Sequence, residues 1–274
     1  MASGTPNFER PPVIEVAIGV QFETLPLTTA HLGVLWQDYR EKLPKLREVA
    51  PLEGVVERFG VRQRPARPRI AFVEHTTNRV WFLSEAEDEL VQAQADRFIY
   101  NWRAAKERDG REYPRFEAVE AGFLSAFETL GAFLARNDLD EPNITQCEVT
   151  YVNHILPAED VWHTHAEAGR AVTLVSETNR FFFLPTAEDI RASARFLIRA
   201  PDENVAGRLH IELEPRYFVE DDTPLLLLKL TARGAPLGKG LEGARDFFAI
   251  GREWIVRGFA DITSPEMHRI WGRR

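Results

Sequence analysis

The chain has 274 residues, 44% hydrophobic and 28% charged, the balance of a compact folded protein rather than a disordered or fibrous one. Its one cysteine, Cys147, excludes an internal disulfide and Cys-rich zinc or iron–sulfur sites, and no run reaches the roughly 18 apolar residues of a membrane span. No membrane partner is therefore expected, and the net charge of −8 argues against nucleic acid. The opening MASGTPNFERPP lacks a secretory pattern, so the cytoplasm is the expected location.

Residues 1–10 are polar, with Gly4 and Pro6, and are expected to form a flexible arm. Ile14, Val16, Ile18, Val20 and Phe22 then alternate with Glu15, Ala17, Gly19 and Gln21, the period of a half-buried strand. Thr28 or Thr29 caps a helix whose stripe is Leu32, Leu35, Trp36, Tyr39, Leu43 and Leu46, with Pro44 bending or ending it. Three or four strands are predicted next, from the candidates Val55–Gly60, Arg69–His75, Arg79–Ser84 and Glu89–Ile99. Asp109, Gly110 and Pro114 mark a loop, and Phe116 to Arg136 reads as an amphipathic helix with Phe116, Val119, Phe123, Phe127, Leu130 and Leu134 on one side.

The second half repeats this order. Cys147 to Ile155 alternates as a strand, and Pro157 to Ala168 is expected to hold a short helix. Strands follow over Val172–Leu184, Arg195–Ala200, Gly207–Glu214 and Leu225–Arg233. A long helix begins near Leu241 and carries Ala244, Phe247, Phe248, Ile255 and Phe259. Corresponding elements are offset by about 125–130 residues. The fold class expected is therefore α+β: a flexible arm over 1–10, then two tandem β-α-β-β-β-β-α halves, 11–142 and 143–274, packed as one continuous domain. Their strands would join into one curved antiparallel sheet with the long helices on one face. That element order is similar to the TATA-binding-protein-like fold and, more loosely, to helix-grip folds, a likeness of topology alone.

The segments PPVIEVAIGVQFE (Pro11–Glu23), WFLSEAEDELVQAQADRFIYNWR (Trp81–Arg103), CEVTYVNHI (Cys147–Ile155) and HRIWGR (His268–Arg273) resemble a sporadically distributed family of uncharacterised bacterial proteins of about this length. The resemblance runs from near Pro11 to the C-terminus. It implies a bacterial cytosolic protein, and the sporadic distribution implies an accessory or defence-type gene system. It brings no catalytic residues.

The polar sides of three strands carry the chemistry. Glu148, Thr150 and His154 share one face, as do His210, Glu212 and Glu214, and Gln92, Gln94 and Asp96. With the helices on the opposite side, these rows converge on an acidic face. Gln92, Gln94, Glu148, Thr150, His154, His210 and Glu212 are the candidate binding residues, for a polar or cationic partner or a small ligand. The alternative is an ordinary solvated sheet face. Cys147 lies inside a strand pattern and reads as a core residue rather than a nucleophile. A zinc set of His163 and His165 with Glu159, Asp160 or His154 is weak without HExxH. So is a nuclease set of Asp202, Glu212 and Glu214 that lacks its lysine. No G-x-S-x-G is present, and the glycines of Gly234–Gly240 lack the order of a phosphate loop. No cofactor is implied. The function expected is a non-enzymatic binding or regulatory module, homodimeric, with a protein partner. The alternative is a small-molecule-binding protein or enzyme with its site on the polar sheet face.

Overall fold

A computed structural model of the chain describes residues 4–60, 79–104, 112–175 and 183–274. Its strands are β1 (Val13–Phe22), β2 (Lys45–Val49), β3 (Arg79–Leu83), β4 (Glu89–Gln94), β5 (Arg97–Arg103), β6 (Ile144–Ile155), β7 (Ala192–Arg199), β8 (Val205–Tyr217) and β9 (Pro224–Gly234). They form one nine-stranded sheet in the order β2-β3-β4-β5-β1-β6-β9-β8-β7, antiparallel throughout. Its helices are α1 (Thr29–Tyr39), α2 (Phe116–Arg136), α3 (Gly240–Ile262) and α4 (Pro265–Ile270). The α+β class and the single sheet are as expected.

Alternation decides which face is apolar. Val16, Ile18 and Val20 of β1 stand opposite Trp102, Tyr100 and Phe98 of β5, and opposite Tyr151, Val149 and Cys147 of β6. All are buried. α2 packs on β1 and β5, and α3 on β6, β8 and β9, so both long helices cover this side. Phe123 of α2 meets Phe98 and Phe248 edge-on. Each such ring removed from water contributes about 1.5–3 kcal/mol. α2 has the length and apolarity of a membrane-crossing helix, yet its stripe from Phe116 to Leu134 is buried. Gly122 is what lets it sit so close, since a Cβ there would lie 2.5 Å from the Tyr100 ring.

Several boundaries differ from expectation, each for a local reason. α1 stops at Tyr39, whose carbonyl takes the Lys42 and Leu43 amides. Pro44 cannot continue a helix, and Leu46 joins β2 opposite Phe82. The run over Glu89–Ile99 is not one strand but a hairpin, because the chain turns at Ala95 and Asp96 between β4 and β5. Those two carbonyls accept the Leu25 and Phe22 amides, which fixes the turn. Val55–Gly60 is not a strand. Arg69–His75 lies outside the described residues. In the second half, 3₁₀ turns at His165–Arg170 and Thr173–Val175 stand where a helix and the start of a strand were predicted; residues 176–182 lie outside the described ones. β7, β8 and β9 follow as expected.

Residues 7–10 of the expected arm are docked. Phe8 is buried and packs on Phe259, His268 and Trp271. The Glu9 and Arg10 amides donate to the Gly272 and Trp271 carbonyls at 3.2 and 3.0 Å.

Candidate functional site

The face opposite the helices carries side chains of alternate residues, and strand register arranges them in rows across the sheet. One row reads Gln94 on β4, Arg97 on β5, Gln21 on β1 and Gln146 on β6. Residues 52–57 run along this row, across the strands. Gln94 donates to the Leu52 carbonyl at 3.0 Å and accepts its amide at 2.9 Å. Gln21 does the same to Val55, at 2.7 and 2.9 Å. Arg97 donates to the Glu53 carbonyl at 2.7 Å, and Gln146 accepts the Glu57 amide at 3.1 Å. The distances match: four strands span about 14 Å, and an extended chain covers about 16 Å from residue 52 to 57. A carboxamide has one donor and one acceptor side, as a peptide unit has, so a row of glutamines holds a main chain whatever its side chains.

The strap ends on an ion cluster. The Glu57 carboxylate accepts from Arg208 and lies 2.6 Å from His210 Nε2 and 3.6 Å from Arg233. Its side chain is 3% exposed. Burial acts to raise its pKa, but the hydrogen bond and charge of His210 and the charges of Arg208 and Arg233 outweigh it and hold the carboxyl below its ordinary range. Arg233 also donates to Glu148 at 2.6 Å. Thr150 links Glu148 to Thr231, at 3.1 and 3.0 Å.

A second network crosses the first half. Gln92 accepts from Arg79 and the Trp81 indole and donates to Asn101 at 2.8 Å. Asn101 in turn donates to Glu15 at 2.5 Å. Burial pushes the Glu15 carboxyl up, against the pull of Asn101, Arg103 and Lys229. Gly19 floors the space between the two networks, with room for hydrogen alone, because a Cβ would lie 2.8 Å from Ile99.

The candidate residues from the sequence therefore share the face but not one cleft. Gln92, Gln94 and Thr150 are buried in the networks. Glu148 and His210 are half-buried beside Glu57, and Glu212 is exposed and 3.4 Å from Lys229. His154 sits at the far end of β6, edge-on to Phe218. The expected acidic character does not hold. Arg47, Arg79, Arg97, Arg103, Arg208, Lys229 and Arg233 project from the same side through the same registers, and they neutralise the carboxylates. Sequence reasoning missed Gln21, Arg97, Gln146, Glu57, Arg208 and Arg233. Gln21 and Gln146 occupy the polar phase of strands that were recognised, which is the signal that was there to find; Glu57 lies in a segment assigned to a strand.

Other constellations come apart. His165 is buried, 3.1 Å from the Leu225 carbonyl and stacked on Trp162, while His163 is exposed. Among the described residues no three His, Cys, Asp or Glu side chains converge as metal ligands. Asp202 holds the Asn204 turn and Glu214 pairs with Arg216. Burial pushes the Cys147 thiol up to about 12, which leaves it without a thiolate at neutral pH.

The site and fold define an antiparallel α+β protein whose polar sheet face grips extended main chain. Compared with known proteins, the chain matches no family model and no curated protein.

Proposed function

We propose that this chain is a non-enzymatic binding module that takes an extended segment of a partner polypeptide on the polar face of its sheet. The observation that carries the reading is the grip on residues 52–57 through their peptide groups by Gln94, Arg97, Gln21 and Gln146. A face that holds one extended chain this way has the chemistry to hold another beside it. Glu148, His210, Glu212 and Lys229 offer side chains to such a segment next to the strap. Glu57, the acid beside a histidine, is kept ionised by its cations, which suits a structural tie better than proton transfer.

The strand order supports a further reading, that the chain is a duplication with the TATA-binding-protein-like arrangement. From the central pair β1 and β6, the first half runs outward as β5, β4, β3 and β2, and the second as β9, β8 and β7. A bacterial cytoplasmic protein of an accessory or defence-type system, working as a homodimer, completes the proposal. Sedimentation of the purified chain tests the last point.

The test of the main reading is native mass spectrometry of the untagged protein purified gently from its host. A co-purifying polypeptide is expected, and its share falls in the Glu148→Ala, Glu212→Ala double variant while the circular dichroism stays unchanged. A small molecule or metal on the monomer, or a partner indifferent to the double variant, overturns it.

A further inference from the structure

On the helix-covered side the two halves are not finished alike. β3 and β7 occupy corresponding places, each third outward from its central strand. Over β3 lies α1, an 11-residue helix with Leu32, Leu35 and Tyr39 buried. Tyr39 packs its ring 5.3 Å from Phe82 of β3 and donates to the Ala126 carbonyl of α2 at 2.6 Å. α1 thus fills the angle between a long helix and the outer strands. In the second half, the segment after β6 makes 3₁₀ turns and anchors His165 on the Leu225 carbonyl of β9. Among the described residues, the angle between α3 and the outer strands β7 and β8 is open as a groove of about 920 Å³.

The groove is apolar at its base, with carboxylates along its α3 wall and Arg199 of β7, which donates to the Glu203 carbonyl, on the strand side. Leu209 and Ile211 of β8, Phe196 of β7, Ile250 and Trp254 of α3, and Leu237 line it. Phe196 is 44% exposed and Leu237 40%, whereas Phe82, on the strand that corresponds to that of Phe196 in the first half, is fully buried. Asp246, Glu253 and Asp261 line it from α3. Glu253 is matched by Arg257 at 2.8 Å, whereas Asp246 and Asp261 have no ion-pair partner among the described residues. They lie 15 residues apart on α3, about 22 Å of helix.

We propose that this groove receives an amphipathic helix of a protein partner, about four turns long to match the span from Asp246 to Asp261, with an apolar stripe against Phe196, Ile211 and Trp254 and a basic flank along α3. The site is separate from the polar face and does not depend on what that face binds. Spacing at i, i+3, i+4 and i+7 supplies the stripe, and lysines or arginines on one flank meet Asp246 and Asp261.

The probe is a fluorescein-labelled synthetic peptide with leucines at that spacing and lysines along one flank, titrated by fluorescence anisotropy into the full chain. A second peptide carries glutamates in place of the lysines. The lysine peptide is expected to bind about tenfold more tightly than the glutamate one. Asp246→Lys with Asp261→Lys, both exposed positions, is expected to reverse that order, and Trp254→Ala to weaken the lysine peptide by about tenfold. The unchanged circular dichroism of the double lysine variant keeps the outcome readable if Trp254→Ala fails to fold. Absence of binding, or binding with no reversal in the double variant, overturns the proposal. So does a dimer in sedimentation that Phe196→Asp abolishes, because a second copy is then the occupant.

Discussion

Replacing Glu57 by glutamine tests the ion cluster most directly. The variant keeps an oxygen for Arg208 and removes the charge that balances the Arg208 and Arg233 guanidinium groups. Glu57, Arg208 and Arg233 have side chains 3%, 12% and 19% exposed, so water compensates little. Breaking a buried pair from one side costs about 3–5 kcal/mol. Arg233 retains Glu148 and the amide still hydrogen-bonds, which brings the expected loss to about 2 kcal/mol. The pH dependence fixes the cause. Burial raises the Glu57 pKa, but His210, Arg208 and Arg233 lower it further, below the ordinary 4.5. The unfolded chain therefore takes up this proton first, and the stabilisation is full above about 4.5 and lost as pH falls through the folded value. Urea denaturation followed by tryptophan fluorescence, at neutral pH and at steps down to pH 3, measures both. A variant within about 0.5 kcal/mol of the parent at neutral pH, or a gap that does not narrow below pH 4.5, refutes the reasoning.

Gly122→Ala drives a methyl group into the Tyr100 ring, 2.5 Å from the new Cβ. Overpacking of this kind costs about 1–3 kcal/mol, read as a lower thermal midpoint. Cys147, buried and with its thiol pushed up to about 12, is expected to resist a thiol-reactive chromophore in the native state at pH 8 and to react promptly in urea; fast native labelling contradicts its placement. His268 is held below its ordinary 6.5, first by burial and then by Arg273. The folded state accepts its proton later than the unfolded one, so stability falls as pH drops below 6.5. His268→Gln is expected to flatten that slope between pH 7 and 5, measured by denaturant midpoints.

Much of the fold was legible because alternation and helical spacing report burial directly. β1, β6, β8 and β9 and the helices α2 and α3 carry clean patterns, and the structure has them. The failures have physical causes. Alternation continues through Ala95 and Asp96, so the tight turn between β4 and β5 leaves no mark on it. The helical spacing that reaches Leu43 and Leu46 continues past Pro44 although the backbone does not. The polar face was legible as rows within single strands, but its chemistry is set between strands. Arg233 faces Glu148 and Arg97 faces Gln21 only through register, which no single segment encodes. That is why an acidic face was expected where a neutralised one is found.

β1 and β6 stand side by side at the middle of the sheet, with residues 23–143 between them in the chain. A chain leaving the ribosome can pair β1 with β5 early, yet the other edge of β1 stays bare until β6 has been made. The sheet closes at its centre late instead of growing strand by strand at its rim. Long-range closure of this kind slows folding. The nascent first half therefore presents a row of unpaired N–H and C=O groups along β1 to whatever it meets, and their best match is the half of the chain still to come.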